Sequence, residues 1–173
     1  MDLVIREAGL DDAEVIGEIS RRGWMAAYAG LLPAGFLADR AAVSPSAEWR
    51  EYLSAMPGRH GLLVAEEAGR VLGFIRFGPG EHEQSEYGDA EIYGFYVAPE
   101  RIGEGIGRTL LSAALHRMDE DGYRGVVLWT FTGNARAERF YAHAGFKLDG
   151  VSAPRTRRAL RSAAGAPNCD RIS

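Results

Sequence analysis

The sequence predicts an α/β fold, a mixed sheet flanked by helices, and three observations carry that prediction. β-rich runs such as GLLVAEEAGRVLGFIRFG, AEIYGFYV and GVVLWTF alternate with segments whose apolar residues recur at helical spacing. The chain has 173 residues, 46% hydrophobic and 25% charged, as expected of one compact domain. A glycine-rich turn, GEGIG, joins a strand-like run directly to a helix-like one.

Residues 3–8, LVIREA, read as the first strand. In the following LDDAEVIGEI, Asp11 and Glu14 have capping-box spacing, and Val15, Ile16 and Ile19 make an apolar stripe. WMAAYAGLLPAGFL is broken by Gly30 and Pro33, which predicts a helix end, a loop and a second short helix. Residues 44–53 read as helix, with Trp49 and Leu53 four apart. A hairpin follows, turning at Ala68–Gly69, where glycine supplies positive φ. GPGEHEQSEYGD is a polar loop, and residues 90–97 form a strand closed by Pro99. Residues 106–118 read as a helix burying Leu110, Leu111, Ala114, Leu115 and Met118. GVVLWTF is a buried strand. NARAERFYAHAGF is a helix ending at Gly145, and Phe146 begins another strand. Residues 1–150 therefore make one domain. Residues 151–173 form a basic tail, holding either a last strand near 168–172 or a surface segment.

A net charge of -4 argues against nucleic acid as the main partner. The single cysteine, Cys169, excludes an internal disulfide framework, and no residue cluster has metal-ligand spacing. The N-terminus lacks the pattern of a signal peptide, and no apolar run reaches the roughly eighteen residues of a membrane span. A cytoplasmic protein without a membrane partner is the expectation.

Glycines at 103, 105 and 107 need a reason, because each costs up to about 1 kcal/mol of folding entropy relative to alanine. The first turn of a helix presents unpaired N–H groups and the positive end of the helix dipole. Stripping side chains from that turn lets a bulky anion reach those groups. A tight turn packed on a neighbouring strand would use glycine too. The spacing G-x-G-x-G fails the dinucleotide fingerprint G-x-G-x-x-G, and the upstream glycines fail the P-loop pattern.

The segment YGFYVAPERIGEGIGRTLL, followed by Asn134, Tyr141, Gly145 and Phe146, resembles the GNAT superfamily of N-acetyltransferases. WMAAYAGLLP resembles the first helices of its bacterial members, so the likeness runs over residues 3–148. Ile102 stands at the family's Arg/Gln position, Arg101 comes one residue early, and Glu104 is acidic where the loop is often basic. The resemblance implies a mostly antiparallel sheet, splayed at the coenzyme-binding strand. It implies acetyl-coenzyme A as co-substrate and a primary amine, on a small molecule or a protein, attacking directly in a ternary complex. The alternative is a non-catalytic acyl-coenzyme A sensor or interaction module.

On that resemblance, the pantetheine arm pairs with the backbone of Phe95, Tyr96 and Val97, and the diphosphate sits on Arg101, Ile102, Gly103, Glu104, Gly105, Ile106, Gly107 and Arg108. Asn134 and Tyr141, seven residues apart, project from one helix face to the same groove. Tyr141, with an ordinary phenol pKa near 10, is the candidate acid for the departing sulfur. Glu91 is the candidate base, and strand alternation places Glu91, Tyr93 and Phe95 on one face. Trp24, Tyr28 and Tyr93 are candidates for the acceptor pocket, with core packing equally open to Trp24. His82 is a second candidate base. A homodimer through tryptophan or tail residues is compatible with the sequence.

Overall fold

The strands are β1 (Val4–Glu7), β2 (Gly61–Glu67), β3 (Arg70–Pro79), β4 (Asp89–Val97), β5 (Gly125–Phe131), β6 (Lys147–Ala153) and β7 (Arg157–Ala163). The helices are α1 (Ala13–Tyr28), α2 (Pro45–Ser54), α3 (Ile106–Glu120) and α4 (Ala135–His143). This computed structural model describes residues 2–30, 35, 45–80, 89–131, 133–153 and 157–163. One seven-stranded sheet runs in the order β1-β2-β3-β4-β5-β7-β6. Among the described residues, only β4 and β5 pair in parallel, and α3 makes the crossover between them. The predicted mixed, mostly antiparallel sheet is thus observed.

The two sheet faces bury separate cores. On one, Ile75, Phe77, Ala90 and Ile92 pack against Leu110, Leu111, Ala114 and Met118 of α3 and against Tyr141 and Phe146. On the other, Ile16 and Ile19 of α1 meet Leu62, Val64 and Phe74, with Trp49, Tyr52 and Leu53 of α2 beside them. Of the expected stripes, Ile16, Ile19, Leu110, Leu111, Ala114 and Met118 are buried, while Val15, Trp49, Leu53 and Leu115 are partly buried and pack against these cores. At the hairpin, Ala68 (φ 52) and Gly69 (φ 75) both lie in the left-handed region, as a two-residue primed turn requires.

The start of α1 differs from expectation. A short 3-10 turn, Leu10–Asp12, precedes the helix, and Asp11 is exposed. Asp12, not Asp11, accepts the Gly9 N–H at 2.7 Å. The reason is Arg6 on β1, whose guanidinium holds Asp12 at 2.7 and 2.9 Å and draws it inward. Arg6 Nε also donates to Glu66 of β2 at 2.8 Å, tying the helix entry to two strands. The Arg6 hydrogen bonds, with the Gly9 N–H and charge attraction behind them, outweigh burial and hold the Asp12 carboxyl below its ordinary value of 3.8. A depressed carboxyl pKa stabilises the fold above the unfolded value and loses that contribution as pH falls through the folded one. Asp12→Asn is therefore expected to cost roughly 2 kcal/mol at neutral pH. The variant's deficit should shrink on acidification below about pH 4, which urea titrations across that range check.

Two expected elements, the short helix after Pro33 and a strand near 168–172, lie outside the described residues, as does His82. Strand β7 lies at Arg157–Ala163, between β5 and β6.

What positions the site is a parting of β4 from β5. Their ladder runs only from Asp89–Gly125 to Ile92–Leu128, while both strands continue beyond it. At the same point the β3–β4 register slips: Phe77 faces Ile92 but Arg76 faces Gly94, leaving Tyr93 as the extra residue of a bulge.

Candidate functional site

The parting of the strands opens a cavity of about 150 Å³ lined by Tyr93, Gly94 and Phe95 of β4, Trp129 and Thr130 of β5, Tyr28 of α1, and Asn134 and Tyr141. Gly23 brings α1 close: a Cβ there would lie 2.6 Å from the Tyr96 ring. Sheet pairing decides which backbone groups face the opening. Ala98 N–H donates to Leu72 O on β3, so alternate groups, including those of Tyr96, also turn to β3. Those of Phe95 and Val97 point across the gap where β5 has left. Of the three residues expected to offer backbone groups to the pantetheine arm, two are oriented to do so; Tyr96 is spent on β3.

A groove of about 940 Å³ continues from this opening along the N-terminus of α3, past Arg101, Ile102, Gly103, Glu104, Gly105, Gly107 and Arg108, to Arg136, Phe140 and Tyr141 of α4. Gly103 (φ 96) and Gly105 (φ 84) are left-handed, and a Cβ on either would meet nothing within 4 Å. Crowding by a neighbouring strand therefore does not explain these glycines; backbone conformation and open space do. Gly105 caps α3 without a side-chain hydrogen bond, so the amides of Ile106, Gly107 and Arg108 begin the helix uncapped. A Cβ on Gly107 would meet Phe95 and Phe140 at ordinary distances of 3.5 and 3.7 Å, so this glycine faces the aromatic side of the groove.

The acidic residue in the loop is neutralised by its displaced neighbour. Arg101 Nε donates to Glu104 at 2.6 Å, and its Nη2 donates to Glu67 at 2.9 Å. Arg101 thus shields the anion path from Glu104, while Ile102, 37% exposed, lays an apolar side chain on the groove. Arg108 is exposed at the same mouth. Arg136, in the first turn of α4, lines both the groove and the cavity and was not singled out from the sequence. Its signal was available: it lies two residues after Asn134, on the turn that faces the groove.

Asn134 Oδ1 accepts the Ala137 N–H at 3.2 Å as the N-cap of α4, and the same residue lines the cavity. Tyr141 is 9% exposed, held between Phe140 (5.2 Å), Phe146 (5.6 Å) and Phe95 (6.4 Å), and borders groove and cavity alike. Burial, aided by the nearby Tyr28 phenol, pushes its pKa well above the ordinary 10. This corrects the expectation of an unperturbed phenol. The group stays protonated.

The bulge overturns the alternation expected for Glu91. Glu91 pairs with Gly78, on the sheet face of Phe74 and Arg76, whereas Phe95 packs with the α3 core. Glu91 is 5% exposed and shares its face with Tyr96, not with Phe95. Tyr93, the bulged residue, donates its hydroxyl to Pro79 O and stacks on His60 at 5.8 Å. Tyr28 and Tyr93 line the cavity, but Trp24 lies behind it, packed on Tyr28 at 4.5 Å and Phe131 at 6.0 Å. Among the described residues, no group of three or more His, Cys, Asp or Glu could hold a metal ion.

An uncapped helix start, a long groove and a bare strand edge fit a diphosphate joined to an extended amide-bearing arm. The model of the acetyltransferase (GNAT) family matches residues 24–146. An uncharacterized N-acetyltransferase, YuaI of Bacillus subtilis, is 30% identical over 135 residues, covering 76% of this chain and 73% of its own. The PaiA N-acetyltransferase of Thermoplasma acidophilum, solved with coenzyme A, superposes with a TM-score of 0.81 at 22% identity, over 94% of this chain and 99% of that one. YncA of Salmonella typhimurium, solved with its cofactor acetyl-CoA, gives a TM-score of 0.70 at 26% identity, over 96% and 98%.

Proposed function

The chain belongs to the acetyltransferase (GNAT) family, and from that premise we propose how its residues move an acetyl group from acetyl-coenzyme A to a primary amine. The co-substrate brings the acetyl group activated as a thioester. The amides of Ile106, Gly107 and Arg108 hold the diphosphate, with Arg136 and Arg108 adding cations at the groove mouth. Phe95 and Val97 bind the arm as an added strand, and an N–H of the Phe95–Val97 stretch polarises the thioester carbonyl.

The amine approaches from the Glu91 face of β4. Most of a simple amine is protonated at neutral pH, near the lysine value of about 10.4. Glu91, directly or through water, takes the ammonium's proton before attack; the neutral amine then adds to the carbonyl, and the second proton it loses on becoming an amide passes to solvent. The C–S bond breaks, and the Tyr141 hydroxyl donates to the sulfur as negative charge gathers there. Because its pKa is raised, this donor stabilises the thiolate chiefly by hydrogen bonding. The reading includes action in the cytoplasm. Among the described residues, no helix is long and apolar enough to cross a membrane.

The parting of β4 from β5 beside an uncapped α3 is the observation that carries this reading. It is tested by thiol release from acetyl-coenzyme A across an amine panel. Release that depends on an added amine is expected, and Glu91→Gln should slow it about a hundredfold at unchanged coenzyme affinity. Coenzyme binding with no release for any amine would favour the sensor instead.

A further inference from the structure

Arg76 of β3 differs in its surroundings from the ion-paired arginines of the fold. Arg6, Arg21, Arg22, Arg101 and Arg117 all meet carboxylates within 3 Å. Arg76 is half-buried, and its Nε is fully enclosed with no hydrogen-bond partner among the described residues. Three aromatic rings surround its guanidinium: Tyr52 at 4.0 Å, Tyr93 at 5.1 Å and Trp49 at 5.9 Å. The Tyr52 hydroxyl is enclosed and unpartnered as well. Ring faces attract a cation but do not accept its N–H bonds, whose donors lie in the guanidinium plane. An enclosed donor left unpaired is costly, and here two sit together.

Position gives the cluster a use. Arg76 pairs with Gly94, where the β4 bulge begins to open, and Gly94 puts no side chain beside it. Gly94 and Tyr93 both line the cavity between β4 and β5. Glu91 lies on the same sheet face, opposite Gly78, a diagonal neighbour on the order of 7–8 Å away. Arg76 and Glu91 do not line that cavity themselves but stand on the sheet face beside it, a guanidinium for an anion next to a carboxylate for an amine.

We propose that Arg76, with Tyr52, binds a carboxylate of the acceptor, so that the acceptor class is an amine carrying a carboxylate in the same small molecule. The proposal rests on the acetyl-transfer reading for the amine, but the anion site can be measured without turnover. Because Nε and the Tyr52 hydroxyl are enclosed, an incoming carboxylate meets the Nη edge of the guanidinium, and the Tyr52 hydroxyl donates to it once the ring turns outward.

Calorimetry with phenylacetate and phenylacetamide isolates the carboxylate. Phenylacetate is expected to bind the protein at least about tenfold more tightly than the amide. Arg76→Met, which keeps length and apolar bulk, should abolish that preference while coenzyme A affinity holds. Tyr52→Phe, which removes only a hydroxyl, should weaken phenylacetate several-fold and serves if Arg76→Met does not fold. In the thiol-release assay, amino carboxylates should surpass their carboxamides in kcat/KM, with the Arg76→Met loss falling on KM. Equal binding of phenylacetate and phenylacetamide, or a preference that survives Arg76→Met and Tyr52→Phe, overturns the proposal. Release with no amine would sink the transferase reading alone, since the phenylacetate result stands without it.

Discussion

Gly105→Val is expected to raise the dissociation constant for coenzyme A about a hundredfold or more while leaving the fold in place. The residue sits at φ 84, where an L side chain costs roughly 1–2 kcal/mol and a β-branched one more. A Cβ there meets no atom within 4 Å, so nothing in the protein is displaced. What the valine occupies is the space in front of the Ile106, Gly107 and Arg108 amides. Two lost charge-assisted hydrogen bonds, at about 1.5–3 kcal/mol each, account for the affinity change. Gly122, beyond the other end of α3, provides the control: it has φ 79 and equally open space. Gly122→Val should lose similar stability and keep coenzyme affinity. Isothermal calorimetry and thermal melts on the two variants separate strain from binding.

Tyr141→Phe is expected to lower kcat about a hundredfold with the coenzyme dissociation constant within about twofold of the parent. Only one oxygen is removed, and the ring contacts with Phe95, Phe140 and Phe146 remain. Loss confined to kcat marks an interaction made as the C–S bond breaks. Turnover unchanged in this variant would remove Tyr141 from the chemistry and leave it a packing residue.

The order of strands and helices up to β6 was legible because hydrophobic period and turn residues are local signals, whereas β7 at Arg157–Ala163, in the arginine-rich tail, was not. The glycine turn was legible too: φ above zero and an uncapped helix start follow from residue type at a strand-to-helix junction. The splay was not, since it arises from a mismatch between three strands. β4 must keep its register with β3 on one side and leave β5 on the other, and no single segment encodes that. The bulge at Tyr93 follows from the same competition and moves Glu91 to the opposite face from Phe95. Two electrostatic facts were hidden for a related reason. The pairing of Arg101 with Glu104 and Glu67 needs a hairpin 34 residues away in sequence. Arg76 is a lone cation among strand residues until α2 folds Trp49 and Tyr52 over it. Asp12 outcompeted Asp11 through Arg6, a contact between β1 and the helix entry that cap spacing alone does not reveal.

A crystal structure of the protein with acetyl-coenzyme A bears most directly on the central claim, that the bare amides at the head of α3 grip a diphosphate and so lay the thioester in the gap between β4 and β5. Phosphate oxygens are expected within hydrogen-bond distance of the Ile106, Gly107 and Arg108 nitrogens, with the sulfur beside Tyr141. Phosphates bound elsewhere, with the α3 N-terminus facing only water, would contradict it.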